Sequence, residues 1–280
     1  TRTLAGKIGE TLAPGDFFIV PHHTSRSGKH GEIPDDIYPG EDSLPVLEIH
    51  SKWGTSEYQG NPNPLKKPHD GPAYAIDLLG RMHWHKPTAG HVRTAPVIHP
   101  ARMIIIGTTE GSLIALRPDG SIVWDVLLGG ALEGAASVDD EGRIYVGSGR
   151  GEVIQLDPDG NILWRFSTGD EVRATPAIAR DGTIVVGSYD GFVYGLSPDG
   201  EVRWQVATGG RVRASARIDV DGRIYVGSQD NFLYGIDQDG SILWRYNVGQ
   251  DVDSTVEIGT DGTLYFGSDD GGIHALRDKT

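Results

Sequence analysis

The chain has 280 residues, of which 38% are hydrophobic and 23% are charged, and it contains no cysteine. A chain of this length can bury a large core, and the lack of cysteine excludes disulfides, thiolate metal sites and cysteine nucleophiles. The formal net charge of −14 disfavours nucleic acid and anionic membranes as partners, and no apolar run approaches the roughly 18 residues of a transmembrane helix. We therefore expect a folded acidic protein with no nucleic-acid partner and no transmembrane segment.

Residues 1–70 form a segment with no repeat and with a high content of histidine. Nine of the ten histidines of the chain precede residue 100. Two apolar runs, at 17–20 and 44–49, have the pattern of buried strands, and prolines between residues 61 and 72 indicate an extended connector. Four side chains at or after the ends of these strands are candidate metal ligands: His22, His23, Glu48 and His50.

The stretches 20–24 and 46–58 resemble a piece of a PHP-type metal-dependent hydrolase domain. The resemblance implies that such histidines and glutamates lie at strand ends around divalent metals and activate water. The segment lacks the opening His-x-His and the closing Asp-x-His of that domain. Two alternatives follow: a divalent-metal site on these side chains, or a remnant or linker packed beside the next domain.

From residue 71 to residue 280 the sequence repeats with a period of 40 residues. The tryptophans lie at Trp84, Trp124, Trp164, Trp204 and Trp244. A Gly-Ser or Gly-Thr pair and two series of acidic-Gly pairs keep the same step. Between these turn signals lie short runs of β-branched and aromatic residues, so each unit is predicted to contain four strands joined by tight hairpins.

A four-stranded unit of this size cannot bury both of its faces alone, so the units must stack face to face. Radial stacking gives an all-β fold, a β-propeller of four-stranded blades. The regular spacing predicts that the tryptophans pack between blades rather than stack on ligands. In the same frame, the His83-Trp84-His85 stretch is predicted to be a strand rather than a pair of metal ligands.

The number of blades depends on how the ends of the repeat meet. The last unit, beginning near Asp251, ends before its tryptophan strand, while residues 72–87 match the third and fourth strands of a unit. The sequence therefore predicts five blades, with the N-terminal strands completing the last one. The alternative is an open arc of a longer propeller, which would leave edge strands exposed.

The stretch Leu156-Asp157-Pro158-Asp159-Gly160, followed by Trp164, resembles the tryptophan-docking motif of the PQQ-like (pyrroloquinoline quinone) repeat propellers. That family includes quinoprotein dehydrogenases, which have eight blades and often a vicinal disulfide. It also includes cofactor-free, BamB-like members that act as docking scaffolds. Because this chain has no cysteine and is too short for eight blades, the resemblance favours the cofactor-free members. The lack of cysteine leaves the compartment open, and the resemblance itself favours a periplasmic or extracellular location.

One frame position at the start of each inner strand carries a charged residue. These residues are Arg93, Glu133, Arg173, Arg213 and Asp253. Inner strands of a propeller line its axial channel, so these side chains are predicted to form a polar ring at one mouth, with Thr175, Ser215 and Thr255 just inside. The ring could hold an anionic small molecule or an acidic peptide, or its charges could pair with one another and serve only solvation.

These observations favour a non-catalytic scaffold whose propeller face binds a protein partner or a small ligand, with no cofactor and no catalytic residue. The competing class is an enzyme, either a divalent-metal hydrolase using residues 1–70 or a PQQ-dependent oxidoreductase.

Overall fold

The computed structural model describes residues 18–19, 45–49, 73–77 and 81–277, and every regular element among them is a β-strand. The strands form six sheets, five with four strands and one with three. The first sheet contains β1 (Phe18–Ile19), β2 (Pro45–Ile49), β3 (Ala73–Asp77) and β4 (Met82–Lys86). The second contains β5 (Val97–Ile98), β6 (Ile104–Gly107), β7 (Ser112–Leu116) and β8 (Ile122–Leu127).

The remaining sheets repeat the second sheet at steps of 40 residues. The third contains β9 (Ser137–Val138), β10 (Ile144–Ser148), β11 (Glu152–Leu156) and β12 (Ile162–Ser167). The fourth contains β13 (Ala177–Ile178), β14 (Ile184–Gly187), β15 (Phe192–Leu196) and β16 (Val202–Ala207). The fifth contains β17 (Arg217–Ile218), β18 (Ile224–Gly227), β19 (Phe232–Ile236) and β20 (Ile242–Asn247). The sixth contains β21 (Glu257–Ile258), β22 (Leu264–Gly267) and β23 (Ile273–Leu276).

Sheets two to six are antiparallel meanders, and neighbouring strands pair in chain order. The pairing of the third and fourth strands shifts by one residue at the same frame position in each of the first five sheets. The shifts follow Ala75, Ala115, Gln155, Gly195 and Gly235. In each case the residue before the shift lies opposite the tryptophan, so the predicted 40-residue frame is also a frame of strand register.

The tryptophans join consecutive sheets, as the sequence predicts. The indole Nε1 of Trp164 donates a hydrogen bond to the carbonyl oxygen of Pro198, 34 residues later in the next sheet, at 2.9 Å. Trp84, Trp124 and Trp204 make the same bond at the same separation, at 2.8 to 3.0 Å. The turn glycine two residues after each acceptor leaves the room that the indole occupies. At Gly200, where φ is +85°, an added Cβ would lie 2.7 Å from Trp164 Cδ2.

The core consists of clusters that span neighbouring sheets. In one cluster Leu113 and Ile105 of the second sheet pack against Ile144 and Leu156 of the third. In the second to fifth sheets the second strands are buried on both faces, whereas the outer fourth strands consist mostly of exposed and half-buried residues. This difference explains why apolar residues run continuously in β6 and β10 but alternate with polar residues in β12.

The predicted closure by the N-terminal strands is wrong. The β3–β4 hairpin pairs with β2, and β23 pairs with β22, so the hairpin belongs to a sheet of its own rather than to the last unit. The described strands form six sheets and not five closed blades. Pairing with β2 requires a much shorter loop than pairing with β23, and a shorter loop costs less chain entropy to close.

The N-terminal sheet nevertheless packs like a repeat unit. Its residues Ala73 and Ala75 are buried against Ile104 and Ile114 of the second sheet, and the half-buried Trp84 packs against the same cluster. The parallel pairing of β1 with β2 departs from the other sheets. The strand predictions for the two apolar runs before residue 50 are confirmed by β1 and β2.

Candidate binding surface

The predicted mouth residues lie in short connecting segments that precede the inner strands, and for Arg173, Arg213 and Asp253 a glycine of the preceding sheet positions the segment. Val172, which has no exposed surface, sits against Gly147, where an added Cβ would lie 2.4 Å from Val172 Cγ1. The backbone N–H of Val172 donates to the carbonyl of Ser148 at 3.1 Å. The same two contacts fix Val212 on the fourth sheet and Val252 on the fifth. The Gly-Ser pair of the repeat therefore positions the charged residue that follows each buried valine.

The structure places the five predicted residues at the same position of successive units, and ion pairs join them in two groups; we call Arg93, Glu133, Arg173, Arg213 and Asp253 the charged arc. Glu133 lies between two arginines, at 3.7 Å from Arg93 Nη1 and at 3.0 Å from Arg173 Nη1. Arg213 Nη1 lies 3.1 Å from an Asp253 carboxylate oxygen. These contacts join residues 40 positions apart, as expected for equivalent sites on adjacent units.

Three further residues, which the repeat pattern alone did not indicate, belong to the same surface. Glu171 accepts a hydrogen bond from Arg173 Nε at 2.6 Å. The guanidinium carbons of Arg173 and Arg211 lie 4.9 Å and 5.2 Å from the centroid of the half-buried Tyr189 ring. Residues 171 and 211 precede charged-arc positions by two, and side chains two apart in an extended segment point to the same side. That periodicity is the signal that could have identified Glu171 and Arg211.

Positive and negative side chains are unevenly distributed over this surface. Arg211 is exposed, and among the described residues no carboxylate lies within ion-pair distance of it. Around Asp253 the charge is negative. The pKa of Asp251 is raised, first by partial burial and then by the carboxylates of Asp253, Asp269 and Asp230. The basic part of the surface is therefore centred on Tyr189 and the acidic part on the last unit.

Arg173 is held as a cation. Burial alone would lower its pKa, but the hydrogen bond from Arg173 to Glu171 and the nearby Glu133 carboxylate outweigh that effect, and its pKa is raised. The guanidinium group of Arg173 therefore keeps its charge at any physiological pH.

Thr175 and Ser215 are two of the three hydroxyl residues that were predicted to lie inside the ring. Both form hydrogen bonds with the neighbouring unit. The Thr175 Oγ1 accepts a hydrogen bond from the backbone N–H of Ala135 at 3.0 Å. The Ser215 Oγ accepts one from the backbone N–H of Thr175 at 2.9 Å. These bonds link the inner strands across consecutive sheets, so the hydroxyls stabilise the stacking beneath the charged arc.

Most of the predicted metal ligands cannot be placed. His22, His23 and His50 lie outside the described residues, and Glu48 lies in β2, where the register sets it opposite Tyr74. The described residues contain no group of three or more acidic, histidine or cysteine side chains that could hold a metal ion. His83 and His85 lie in β4, which confirms that this stretch is a strand.

The sequence profile described as Outer membrane protein assembly factor BamB matches residues 109–258 and 189–280 of this chain. Together the two matches cover more than half of the chain. The chain belongs to the BamB family of PQQ-like repeat β-propellers. The observed frame of strands, turns and tryptophans is thus the repeat of that family.

Solved structures support the same fold at low sequence identity. The crystal structure of BamB from Moraxella catarrhalis aligns with a TM-score of 0.63 at 22% identity, covering 74% of this chain and 64% of that chain. The chain therefore spans a little less than two thirds of the length of that BamB. The WD40 β-propeller domain of Doa1 aligns with a TM-score of 0.60 at 18% identity, covering 74% and 72% of the two chains.

A Bacteroides caccae protein of unknown function aligns with a TM-score of 0.51 at 16% identity, covering 71% of this chain and 80% of its own. A search of curated protein sequences gives no significant match. Among the described residues no helix has the length and apolar character of a membrane span.

Proposed function

We propose that this protein is a non-catalytic binding scaffold that holds an acidic segment of a protein partner against the basic part of this surface, around Tyr189. The observation that carries the proposal is the pair of guanidinium groups around Tyr189, contributed by Arg173 and Arg211 on adjacent units. Tyrosine and arginine are the residues most enriched at the energetic centres of protein interfaces.

The ion pairs of the surface leave part of this positive charge available. Glu133 and Glu171 both lie within 3.0 Å of Arg173, so that arginine is already paired. Arg211 is exposed, and no carboxylate of the described residues pairs with it; Arg213 is paired with Asp253 at 3.1 Å, but about half of its side chain is exposed. An incoming carboxylate would therefore meet Arg211 and Arg213 first, with Tyr189 as a rigid apolar floor.

The wider role is proposed by analogy. The family description names an outer membrane protein assembly factor, and we propose that this chain too acts in the cell envelope, with no cofactor. Cell fractionation tests the location. Metal content after purification tests the alternative of a hydrolase, and an absorbance change on adding PQQ tests the alternative of an oxidoreductase.

The binding proposal is tested with a fluorescein-labelled octaglutamate peptide, whose binding to the full chain is measured by fluorescence anisotropy at low ionic strength. We expect saturable binding that the R211A/R213A variant weakens by about tenfold or more, because two charge-assisted contacts are lost. A matched control is R203A/R223A, which removes two arginines paired with Asp181 and Asp221. Equal weakening by both double variants would show that only net charge matters and would contradict the proposal.

A further inference from the structure

One histidine among the described residues is buried, and partner binding at the charged arc makes no use of it. His99 is 2% exposed and lies in the turn between β5 and β6. Its Nδ1 accepts a hydrogen bond from the backbone N–H of Ala101 at 3.0 Å, and its Nε2 lies 2.8 Å from the carbonyl oxygen of Gly142. Gly142 lies in the equivalent turn of the third sheet, so the ring connects two consecutive sheets.

These two contacts fix the protonation state of the ring. A backbone N–H cannot donate to a protonated nitrogen, so Nδ1 carries no hydrogen, and Nε2 carries the one that the Gly142 carbonyl accepts. Both ring nitrogens of neutral His99 therefore have a hydrogen-bond partner. A second proton, on Nδ1, would face the N–H of Ala101 and remove that hydrogen bond.

No carboxylate among the described residues is placed to pair with a protonated His99. The turns that meet here are its own, the turn that it contacts and the turn of Pro158, which lies beside Gly142. Their charged residues are Arg102, Asp139, Asp140, Glu141, Arg143, Asp157 and Asp159. Arg143 pairs with Asp139 at 2.7 Å and with Glu141 at 3.3 Å, and none of these carboxylates lies within ion-pair distance of the His99 ring. A buried positive charge without a partner destabilises the folded state.

The turn of His99 also differs from its equivalents in the later units. Each of those turns has a glycine with positive φ at the position of Arg102, whose own φ is +60°. The left-handed conformation is unfavourable for a residue with a Cβ. At the position of His99, Asp139 and Asp219 accept a hydrogen bond from the backbone N–H two residues later, at 3.0 and 2.9 Å. In the second sheet a strained turn is thus capped by an acceptor that a single proton removes.

We propose that His99 is a pH-sensitive latch between the second and third sheets. The neutral ring holds the turn of residues 99–103 against the third sheet, and protonation below about pH 6.5, where histidine ordinarily titrates, releases this turn. The apolar cluster that joins Ile105 and Leu113 to Ile144 contains no titratable residue. The two sheets therefore stay stacked while the turn opens, and the latch does not depend on binding at the charged arc.

The first test is urea denaturation of the full chain at pH 7.5 and at pH 5.5, followed by circular dichroism. Since the unfolded chain takes up a proton near pH 6.5 and the closed latch does not, acid should raise the unfolding equilibrium constant by up to about tenfold. H99N should lack this part of the rise, because the asparagine oxygen can accept from Ala101 and does not titrate. The matched control is H91N, which removes a half-buried histidine of the same unit and should keep the full rise.

The second test is amide hydrogen exchange of the unchanged protein, corrected for the intrinsic pH dependence of exchange, which decides the question even if H99N fails to fold. The Ala101 amide should be protected at pH 7.5 and lose about tenfold of its protection at pH 5.5. The Glu141 amide, which Asp139 holds in the equivalent turn, should keep its protection at both pH values. Equal pH dependence of unfolding in H99N and the unchanged protein, or equal protection of Ala101 at both pH values, overturns the proposal.

Discussion

The contact between each tryptophan and the turn glycine of the next sheet can be tested at Gly200. Its φ of +85° and the 2.7 Å separation between an added Cβ and Trp164 Cδ2 make alanine unfavourable for two reasons. An alanine in the left-handed region costs about 1–2 kcal/mol. Overpacking against a fixed group costs about 1–3 kcal/mol more. The indole cannot move away freely, because its Nε1 is bonded to Pro198.

Gly262 supplies a matched control for the backbone cost alone. Its φ is +79°, no atom lies within 4 Å of an added Cβ, and its N–H makes the same type of turn bond at the same 2.9 Å. We therefore expect G262A to lose about 1–2 kcal/mol of unfolding free energy and G200A about 2–5 kcal/mol.

The measurement is urea denaturation followed by circular dichroism. Repeat proteins can unfold unit by unit, so G182A is measured as well. Gly182 lies in the same sheet as Gly200, with φ of +81°, and Pro198 Cγ at 3.1 Å is the one atom near an added Cβ. The loss of unfolding free energy in G182A should be closer to that in G262A than to that in G200A. Equal losses for all three variants would refute the claim that the glycine is required by the indole.

Three further predictions follow from the same contacts. W204F should cost about 1 kcal/mol of unfolding free energy, because the Gln238 carbonyl loses its donor at 2.8 Å; an unchanged urea midpoint would contradict this. Burial and the hydrogen bond to Asp219 raise the pKa of Tyr225 to about 12 in the folded protein. The neutral phenol therefore stabilises the fold fully below about pH 10, and this contribution is lost as the pH rises through the folded pKa. Y225F should accordingly lose less unfolding free energy than the unchanged protein when urea denaturation is repeated at increasing alkaline pH, and an equal loss in both proteins would contradict this. The raised pKa of the Asp251 carboxyl means that its ionisation destabilises the folded state. D251N should therefore raise the melting temperature at pH 7 and have no effect below about pH 4, where the carboxyl is protonated. A lower melting temperature at pH 7 would show that the neighbouring carboxylates do not repel Asp251.

The sequence predicted the repeat units well because each signal has a local physical cause. The Asp-Gly turns need positive φ at glycine, and the tryptophans recur because each must meet the next turn. The charged arc was predicted for a similar reason, since residues 40 apart on equivalent units become neighbours when the units stack, as the contact between Arg213 and Asp253 shows.

The failures concern pairing that depends on distant parts of the chain. The β3–β4 hairpin has the pattern of third and fourth strands, and that pattern does not say which strand it will join. Tyr189 was missed because its position follows the Gly-Ser pair, where the other units carry unrelated residues such as Gln229. Its position against two arginines of different units depends on the stacking of the sheets and is seen only in the structure.

The central claim is that stacking of the units makes a partner-binding surface around Tyr189. Hydrogen–deuterium exchange of the full chain with and without saturating octaglutamate peptide tests it most directly. We expect slower exchange at residues 171–173, at 189 and at 211–213, with no change in the outer strand β16. Protection confined to other segments, or no protection at peptide saturation, would contradict the account.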